Sequence, residues 1–255
     1  MNNLALMVDI GNTYISFGFF KDGVLDLRLD VPSQIMNVAD IKKPLQEFKE
    51  KHDINEKNIM GGLICSVVPS FTHSIQRAIS FVFNKNIPVM DYNYFKDLKM
   101  QVDNPKEVGG DLVCDVIAAK RKYGYPSLIF DLGTISKVMV IDKNGVFCGT
   151  SFFIGVRCTI EAMREKTALL PEVELIKKPK KLLGNNTLEA IESGVFYGTM
   201  SMVEEYSRKI ENNLGYSLKK ILTGGNAHLF KENIEYFLID ENLVLEGLYY
   251  IYCQN

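Results

Sequence analysis

The sequence predicts an α/β protein made of two similar halves, and three observations lead to this prediction. An apolar run that ends in Asp-x-Gly and a hydroxyl residue occurs twice, at residues 7–13 and 128–134. Each copy is followed by two further β-rich runs, which are joined by a short turn that contains glycine. Between these meanders lie segments with the apolar spacing of amphipathic helices. The same elements repeated about half a chain apart indicate the internal duplication of an α/β unit.

The first copy of the repeat predicts a strand that ends in a ligand-binding turn. Asp9 ends the apolar run and offers oxygen to a hard cation such as Mg²⁺. Gly11 lets the backbone come close to a bound group, and the small polar residues Asn12 and Thr13 follow it. A single Asp-x-Gly is more often an ordinary surface hairpin. Because the flanking elements repeat as well, a nucleotide-binding loop is the favoured interpretation.

The rest of the first half is predicted to alternate strands with helices. Apolar residues three or four positions apart among charged ones, such as Ile41, Leu45 and Phe48, indicate amphipathic helices. Apolar runs bounded by turn residues or proline indicate strands. The predicted strands are residues 14–20, 24–29, 61–69 and 88–91, and the predicted helices are residues 39–53 and 71–83.

A glycine-rich loop at residues 103–111 leads into a predicted helix at residues 112–123. The loop ends in Gly109, Gly110 and Asp111, which places a carboxylate at or near the N-cap of this helix. One interpretation is that Asp111 caps the helix. The other is that Asp111 faces a nucleotide and accepts a proton from an attacking hydroxyl. Capping and catalysis are compatible, so both interpretations stay open.

The second half repeats the pattern, with Asp131 and Thr134 in the second Asp-x-Gly turn. The predicted strands are residues 135–141, 146–153 and 220–223, and the predicted helices are residues 155–166, 186–212 and 243–252. Gly224 and Gly225 follow a strand and offer backbone amides to a nucleotide. Thr187, at the start of the long helix, is either its cap or a ligand contact.

Two glycines of the long helix, Gly194 and Gly198, lie four positions apart and therefore on one helical face. Without side chains there, another backbone can approach this face closely. The partner is predicted to be either the sheet of the same chain or a second subunit.

The composition favours a small-molecule ligand. The formal net charge of -2 and the pI of about 6.0 argue against a nucleic-acid or membrane-binding surface. Five cysteines without C-x-x-C spacing indicate buried free thiols of a reducing compartment, and three separated histidines give no zinc-ligand spacing. No leader pattern is visible, and no apolar run approaches the roughly 20 residues that span a bilayer. We therefore expect a cytoplasmic protein.

Taken in order, these motifs resemble the superfamily of acetate kinase, the sugar kinases, Hsp70 and actin, and more narrowly the type III pantothenate kinases. The resemblance runs through nearly the whole chain. It is carried by residues 9–13, 103–111, 131–134, 184–187, 189–190, 193–194, 223–225 and 245–248. It implies a duplicated fold of two ribonuclease H-like halves, here residues 1–123 and 124–255, with an ATP cleft between them. It also implies a homodimer that phosphorylates pantothenate in the first step of coenzyme A synthesis.

The resemblance implies a role for each matching position. Asp111 corresponds to the catalytic base, and Asp131 to a ligand of a monovalent cation, K⁺ or NH₄⁺. Asp9 would also hold Mg²⁺ through water. The positions implied to contact ATP are Asp9, Gly11, Asn12, Thr13, Thr134, Gly224 and Gly225. The positions implied to contact pantothenate are Val102, Gly109, Gly110, Asp111, Leu112 and Thr187.

Several positions differ from the pattern of that family. Leu112 follows the base where arginine is usual, Val102 replaces a tyrosine, and Ser136-Lys137 replaces a pair of threonines. Losing a guanidinium that pairs with the substrate carboxylate could weaken binding by about 1.5 to 3 kcal/mol. Lys137 could supply a positive charge from another direction. Two alternatives therefore stand beside the kinase, namely a nucleotide-binding or regulatory paralogue, and a kinase of another small alcohol.

Overall fold

The computed structural model describes residues 3–33, 38–171, 173–175 and 177–255. Within them the chain forms two compact units. Unit 1 comprises Met1–Leu98, Asp103–Ala118 and Leu243–Asn255, and unit 2 comprises Lys99–Val102 and Ala119–Asn242. These units differ from the predicted halves, residues 1–123 and 124–255, chiefly because the C-terminal segment belongs to unit 1.

Unit 1 is built on a four-stranded sheet. Its strands are β1 (Leu4–Ile10), β2 (Tyr14–Lys21), β3 (Val24–Pro32) and β4 (Ile59–Ser66). Its helices are α1 (Val38–Lys51), α2 (Pro69–Phe83), the first turns of α3 (Gly110–Lys122), and the C-terminal helix α6 (Leu243–Tyr252). The strand order is β3-β2-β1-β4, in which the first three strands are an antiparallel meander and β4 is parallel to β1.

Both faces of β1 are buried, which explains its nearly continuous apolar sequence. Leu6, Val8 and Ile10 face the core that α1 and α2 cover. Met7, on the opposite face, is also fully buried. The C-terminal helix α6 (Leu243–Tyr252) packs against β1 and β4. The end of the chain therefore completes the fold of unit 1.

Of two short elements predicted in unit 1, the structure confirms one. The predicted strand at residues 88–91 forms only an isolated bridge between Val89 and Ile64. The turn between β2 and β3 places both Asp22 (φ 51) and Gly23 (φ 88) in the left-handed region. This conformation matches the twist of a tight hairpin, so the predicted turn at residues 21–23 is confirmed.

Unit 2 repeats the same topology on a five-stranded sheet. Its strands are β5 (Ser127–Leu132), β6 (Ile135–Ile141), β7 (Phe147–Ile154), β8 (Lys219–Thr223) and β9 (Phe237–Ile239), and its helices are α4 (Val156–Glu165) and α5 (Thr187–Leu214). The order is β7-β6-β5-β8-β9, with an antiparallel meander β5-β6-β7 and with β8 parallel to β5. The predicted duplication is confirmed by this repeated topology. The three-residue strand β9 was not predicted, because it is too short to show a period.

The core of unit 2 lies on one face of its sheet. Leu128, Phe130 and Leu132 of β5 pack there with Phe196 of α5. Since side chains alternate along a strand, Asp131 lies on the opposite face. The helix α5 is 28 residues long, but neither it nor any other described helix is long and apolar enough to cross a membrane.

Candidate functional site

The first Asp-x-Gly element forms a tight turn at the end of β1. Asp9 lies near the end of the strand, opposite Ser16 of β2 and Cys65 of β4. The Gly11 amide donates to the Tyr14 carbonyl oxygen at 3.0 Å. A Cβ at Gly11 would lie 3.1 Å from that same oxygen, so the turn favours glycine.

Ser33, from the residues after β3, holds this turn in place. Its hydroxyl donates to the Gly11 carbonyl at 2.7 Å. Its amide donates to the Thr13 carbonyl at 2.9 Å. Asn12 is exposed at the tip of the turn. The predicted phosphate loop therefore has a backbone shape that is fixed by unit 1 itself, and sequence reasoning missed the contribution of Ser33.

Asp111 lies in the first turn of α3. The helix begins at Gly110, which corrects the predicted start at residue 112. The Asp111 Oδ1 atom accepts a hydrogen bond from the Leu112 amide at 2.9 Å. A carboxylate in the first turn of a helix interacts favourably with the helix dipole.

The start of α3 meets the end of β1 and β4 at two buried thiols. A Cβ on Gly110 would lie 2.9 Å from the Cys65 Sγ atom and 2.8 Å from the Met90 Cε atom. Cys65 is the register partner of Asp9. In unit 1, Asp9 and the start of α3, which carries Asp111, therefore both lie next to Cys65. The sequence alone did not predict this proximity.

The charges of this region act on both thiols. A hydrogen bond with Cys114 and then burial raise the pKa of the Cys65 thiol well above its usual range. Burial raises the pKa of the Cys114 thiol. The negative charges of Asp9 and Asp111 push the pKa of both thiols in the same upward direction. Both thiols therefore favour the protonated form, which carries no charge.

Two positions implied to contact pantothenate have different environments. Leu112 is only 4% exposed and packs inside unit 1, where arginine would be expected from the resemblance. Val102 is half-buried and belongs to unit 2. Gly109 precedes α3, and a Cβ there would lie 2.6 Å from the Asp111 Oδ1 atom. The glycine therefore leaves room for the Asp111 carboxylate.

In unit 2 the second Asp-x-Gly element contains a buried ion pair. Asp131 of β5 and Lys137 of β6 are register partners. The Lys137 Nζ atom lies 2.7 Å from the Asp131 Oδ2 atom, and the two side chains are 14% and 8% exposed. The sequence placed both residues on adjacent strands but did not predict that they pair.

The glycine pair after β8 packs against the same carboxylate. Gly224 has a φ of +90°, and a Cβ there would lie 2.2 Å from the Asp131 Oδ1 atom. The amide and the side chain of Asn226 both donate to the Leu132 carbonyl, at 3.1 and 3.0 Å. Unit 2 thus joins the predicted Asp131 and Gly224 in one arrangement. Asn226 was missed, although it directly follows the predicted glycine pair.

Thr134 and Gly225 lie at the edges of this arrangement. The Thr134 carbonyl accepts from the Gly155 amide at 3.2 Å, and a Cβ on Gly155 would lie 2.3 Å from that carbonyl oxygen. Gly225 is exposed, and its carbonyl lies 2.9 Å from the His228 Nδ1 atom. Both predicted residues therefore belong to the loops that surround Asp131.

The N-terminus of α5 is capped by Asn186, so the proposed capping role of Thr187 is wrong. The Asn186 side chain accepts from the Glu189 amide at 2.9 Å, and Glu189 Oε2 accepts from the Asn185 amide at 2.9 Å. Thr187 is the exposed first residue of the helix. Its alternative role as a ligand contact stays a prediction.

The glycine face of α5 does not pack on the sheet of its own unit. Gly194 and Gly198 are both exposed, and a Cβ at either position would meet no described atom within 4 Å. The first alternative for this face, close packing on the sheet, is therefore wrong. The second alternative, a contact with another subunit, stays a prediction.

Comparison with known proteins connects these features to one family. The family model described as Type III pantothenate kinase matches residues 5–209 of the chain. A Type III pantothenate kinase of Agathobacter rectalis is 30% identical over 254 residues, which are 98% of this chain and 96% of the relative. A Type III pantothenate kinase of Dictyoglomus turgidum is 33% identical over 256 residues, 99% of this chain and 100% of the relative.

Solved structures support the predicted fold. The activator of the 2-hydroxyisocaproyl-CoA dehydratase from Clostridium difficile, solved with bound ADPNP, matches with a TM-score of 0.55 and 14% identity. The match covers 98% of this chain and 94% of that one. At this identity the likeness concerns the fold alone. Together with the repeated sheets, it confirms the predicted α/β fold of two similar halves.

Proposed function

This chain belongs to the type III pantothenate kinase family, and we propose that it transfers the terminal phosphoryl group of ATP to the primary hydroxyl of pantothenate, in the first step of coenzyme A synthesis. The observation that carries this proposal is the family relationship along the whole chain. Neither alternative, a regulatory paralogue or a kinase of another alcohol, finds support among these relatives.

Asp111 is the proposed general base. Its carboxylate lies in the first turn of α3 and accepts a hydrogen bond from the Leu112 amide. A carboxylate cannot fully deprotonate an alcohol in the ground state. It can orient the hydroxyl and accept its proton late in the transfer, as charge passes to phosphorus. Asp111 is therefore proposed both to position the hydroxyl and to accept its proton.

The Asp9 loop is the proposed phosphate-binding loop of unit 1. Its turn is closed by the Gly11 amide and fixed by Ser33, which gives Asn12 and Thr13 a defined backbone. A single carboxylate at such a turn fits Mg²⁺, which typically takes one or two carboxylates and keeps waters and phosphate oxygens as its other ligands. Bound Mg²⁺ would neutralise charge on the phosphates. Asp9 would orient its water shell.

In unit 2, Thr134, Gly224 and Gly225 are the proposed ATP contacts. Gly224 adopts a conformation that L-residues rarely adopt, and it lies beside Asp131. Glycine amides in such turns can point at phosphate oxygens. We further propose that Val102, Gly109, Gly110, Leu112 and Thr187 contribute to the pantothenate site, with Leu112 contributing through its backbone because its side chain is buried.

The monovalent cation implied at Asp131 does not fit the residues of this chain. One carboxylate oxygen already lies 2.7 Å from the Lys137 ammonium. The other lies against the backbone of Gly224. A K⁺ or NH₄⁺ ion would have to share the carboxylate with a positive charge a few ångströms away, so no step of the proposed mechanism uses it.

A homodimer and a cytoplasmic location complete the proposal. The dimer is supported by the exposed glycine face of α5, at Gly194 and Gly198. Light scattering coupled to size exclusion would measure its mass directly. The location is supported by cysteine usage, since all five cysteines are free thiols, although only Cys65 and Cys114 are buried as predicted.

A coupled ADP-release assay with ATP, Mg²⁺ and pantothenate tests the function, with mass spectrometry of the phosphorylated product. Asp111→Asn is expected to lower kcat by about 10²- to 10⁴-fold, because it removes the proton acceptor. Binding of an ATP analogue, measured by calorimetry, should be unchanged. Asp103→Asn is the matched control, since Asp103 is an exposed carboxylate of the same loop. A wild-type protein that forms no phosphopantothenate would overturn the proposal.

A further inference from the structure

In the pair of Asp131 and Lys137, the lysine ammonium lies directly beside the carboxylate, where a bound cation would otherwise lie. The two residues lie opposite each other on β5 and β6, with 2.7 Å between the Lys137 Nζ and Asp131 Oδ2 atoms. Both side chains are largely buried. A buried carboxylate requires a positive partner, and here the partner belongs to the same chain.

The second carboxylate oxygen of Asp131, Oδ1, lies close to the backbone of two glycines, Gly224 and Gly133. A Cβ at Gly224 would lie 2.2 Å from the Asp131 Oδ1 atom, and a Cβ at Gly133 would lie 3.4 Å from it. The ammonium on one side and the two glycines on the other therefore enclose Asp131. A second cation at this carboxylate would lie within a few ångströms of Lys137, where like charges repel strongly.

The internal duplication provides a reference for this position. In unit 1 the residue opposite Asp9 is Ser16, a neutral residue whose hydroxyl donates to Asp30. In unit 2 the residue opposite Asp131 is Lys137. The positive charge at this position is therefore a feature of the second unit and does not follow from the strand-turn-strand fold.

We propose that the Lys137 ammonium permanently supplies the single positive charge beside Asp131, so that this kinase works without a monovalent cation. An alkylammonium carries the same charge as K⁺ or NH₄⁺ and offers hydrogen-bond donors to the carboxylate. Lys137 acts through Asp131 and its loops, and is therefore a positioning residue. The inference rests on the proposed function for its kinetic consequence, but its cation-binding consequence can be measured without any substrate.

The kinetic test compares activities in K⁺, NH₄⁺ and tetramethylammonium chloride at equal ionic strength. The wild-type kcat/KM is expected to vary by less than about twofold among the three salts. Lys137→Ala removes the internal charge and opens its space. In tetramethylammonium this variant should lose about tenfold or more in kcat/KM, and K⁺ or NH₄⁺ should restore most of the loss. Lys137→Gln serves as a second variant if the alanine variant does not fold.

The matched control is Lys122→Ala. Lys122 forms a similar pair with the buried Asp240 in unit 2, with 2.5 Å between Nζ and Oδ2. This variant should lose stability without acquiring any response to K⁺. If K⁺ raises the kcat/KM of Lys122→Ala as it does that of Lys137→Ala, then breaking any buried ion pair produces the response to K⁺, and the proposal is overturned.

The substrate-free test compares melting temperatures in the same salts. Wild-type protein should melt at the same temperature in K⁺ and tetramethylammonium, whereas Lys137→Ala or Lys137→Gln should melt higher in K⁺, because the ion binds the native state. A wild-type protein that is stabilised by K⁺, or variants that never respond to it, would refute the inference. A protein that phosphorylates no pantothenate in any salt would refute the proposed function, while these melting temperatures would still decide the cation question.

Discussion

At the scale of single residues, Gly110 determines how closely α3 can approach β4. Its hydrogen points toward the Cys65 Sγ and Met90 Cε atoms, each less than 3.0 Å from where a Cβ would lie. The Met90 methyl can move aside, but the Cys65 side chain is short and fully buried. The position of Asp111, the next residue, therefore depends on the absence of a side chain at Gly110.

Gly110→Ala is expected to destabilise the protein by about 1 to 3 kcal/mol, because it overpacks the contact between α3 and β4. It should also lower kcat by displacing Asp111. Urea unfolding and the ADP-release assay measure the two effects. Ser80→Ala is the control, since Ser80 is an exposed residue of α2 and its replacement should change the stability by less than about 0.5 kcal/mol. Equal stability and kcat in wild type and Gly110→Ala would show that the contact tolerates a side chain.

The buried thiols give a prediction about pH. The pKa values of Cys65 and Cys114 are raised, so both groups stay protonated at pH values where an ordinary thiol, of pKa about 8.5, ionises. Since the thiolate is the reactive form, native protein at pH 9 should alkylate slowly at these two positions. The exposed Cys253 should react quickly. Peptide mass mapping after iodoacetamide treatment measures this, and fast native labelling of Cys65 would contradict it.

At the scale of elements, the N-terminus of α5 depends on its cap. The Asn186 side chain accepts from the Glu189 amide, and Glu189 accepts from the Asn185 amide. Asn186→Ala is therefore expected to cost about 1 kcal/mol of stability, measured by urea unfolding. Asn185→Ala is the matched control, because it removes the same amide side chain and keeps the Asn185 backbone donor. If both variants lose the same stability, the cap is not the cause.

The elements also show what the sequence could and could not predict. Long periodic segments were predicted well, and the final helix was predicted with the bounds that it has in the structure, Leu243–Tyr252. The strand at residues 88–91 was not confirmed, because a few apolar residues after a proline do not specify a ladder. The pair of Asp131 and Lys137 was missed, since it depends on register. A shift by one residue would have placed the two side chains on opposite faces.

The site was predictable to the extent that its residues lie near strand ends or in the turns that follow them. Asp9 and Asp131 end their apolar runs, and glycines mark the turns after them. Residues that join the site from elsewhere in the sequence, such as Ser33 and Asn226, give no periodic signal. They act through hydrogen bonds to backbone carbonyls, Ser33 at Gly11 and Thr13 and Asn226 at Leu132, which become visible only once the fold brings the segments together.

At the scale of the whole molecule, the two units have the same topology, but neither is formed by one continuous segment of the chain. Unit 1 includes both the first residues and the last helix, α6. The ring of Tyr249 in α6 stacks on Phe20 of β2, with centroids 4.5 Å apart. The first unit can therefore be complete only after the whole chain, including unit 2, has been synthesised.

Gly247 of α6 packs directly on the backbone of α3, which gives a prediction about how the units unfold. A Cβ there would lie 1.9 Å from the Cys114 carbonyl oxygen and 2.5 Å from its carbonyl carbon, and backbone atoms of α3 cannot move aside as a flexible side chain can. Gly247→Ala should therefore destabilise unit 1 by at least about 2 kcal/mol, through overpacking between α6 and α3.

Hydrogen exchange followed by mass spectrometry can locate this loss within the chain. In Gly247→Ala the amides of β1 and β4, on which α6 packs, should exchange faster, whereas those of β5 and β8 in unit 2 should keep their protection. Ser80→Ala is the control, since Ser80 is an exposed residue of α2 in unit 1. If all four strands lose protection together, the two units unfold as one cooperative body. If none does, α6 is not required for the stability of unit 1, and the C-terminal helix is then an accessory of the fold.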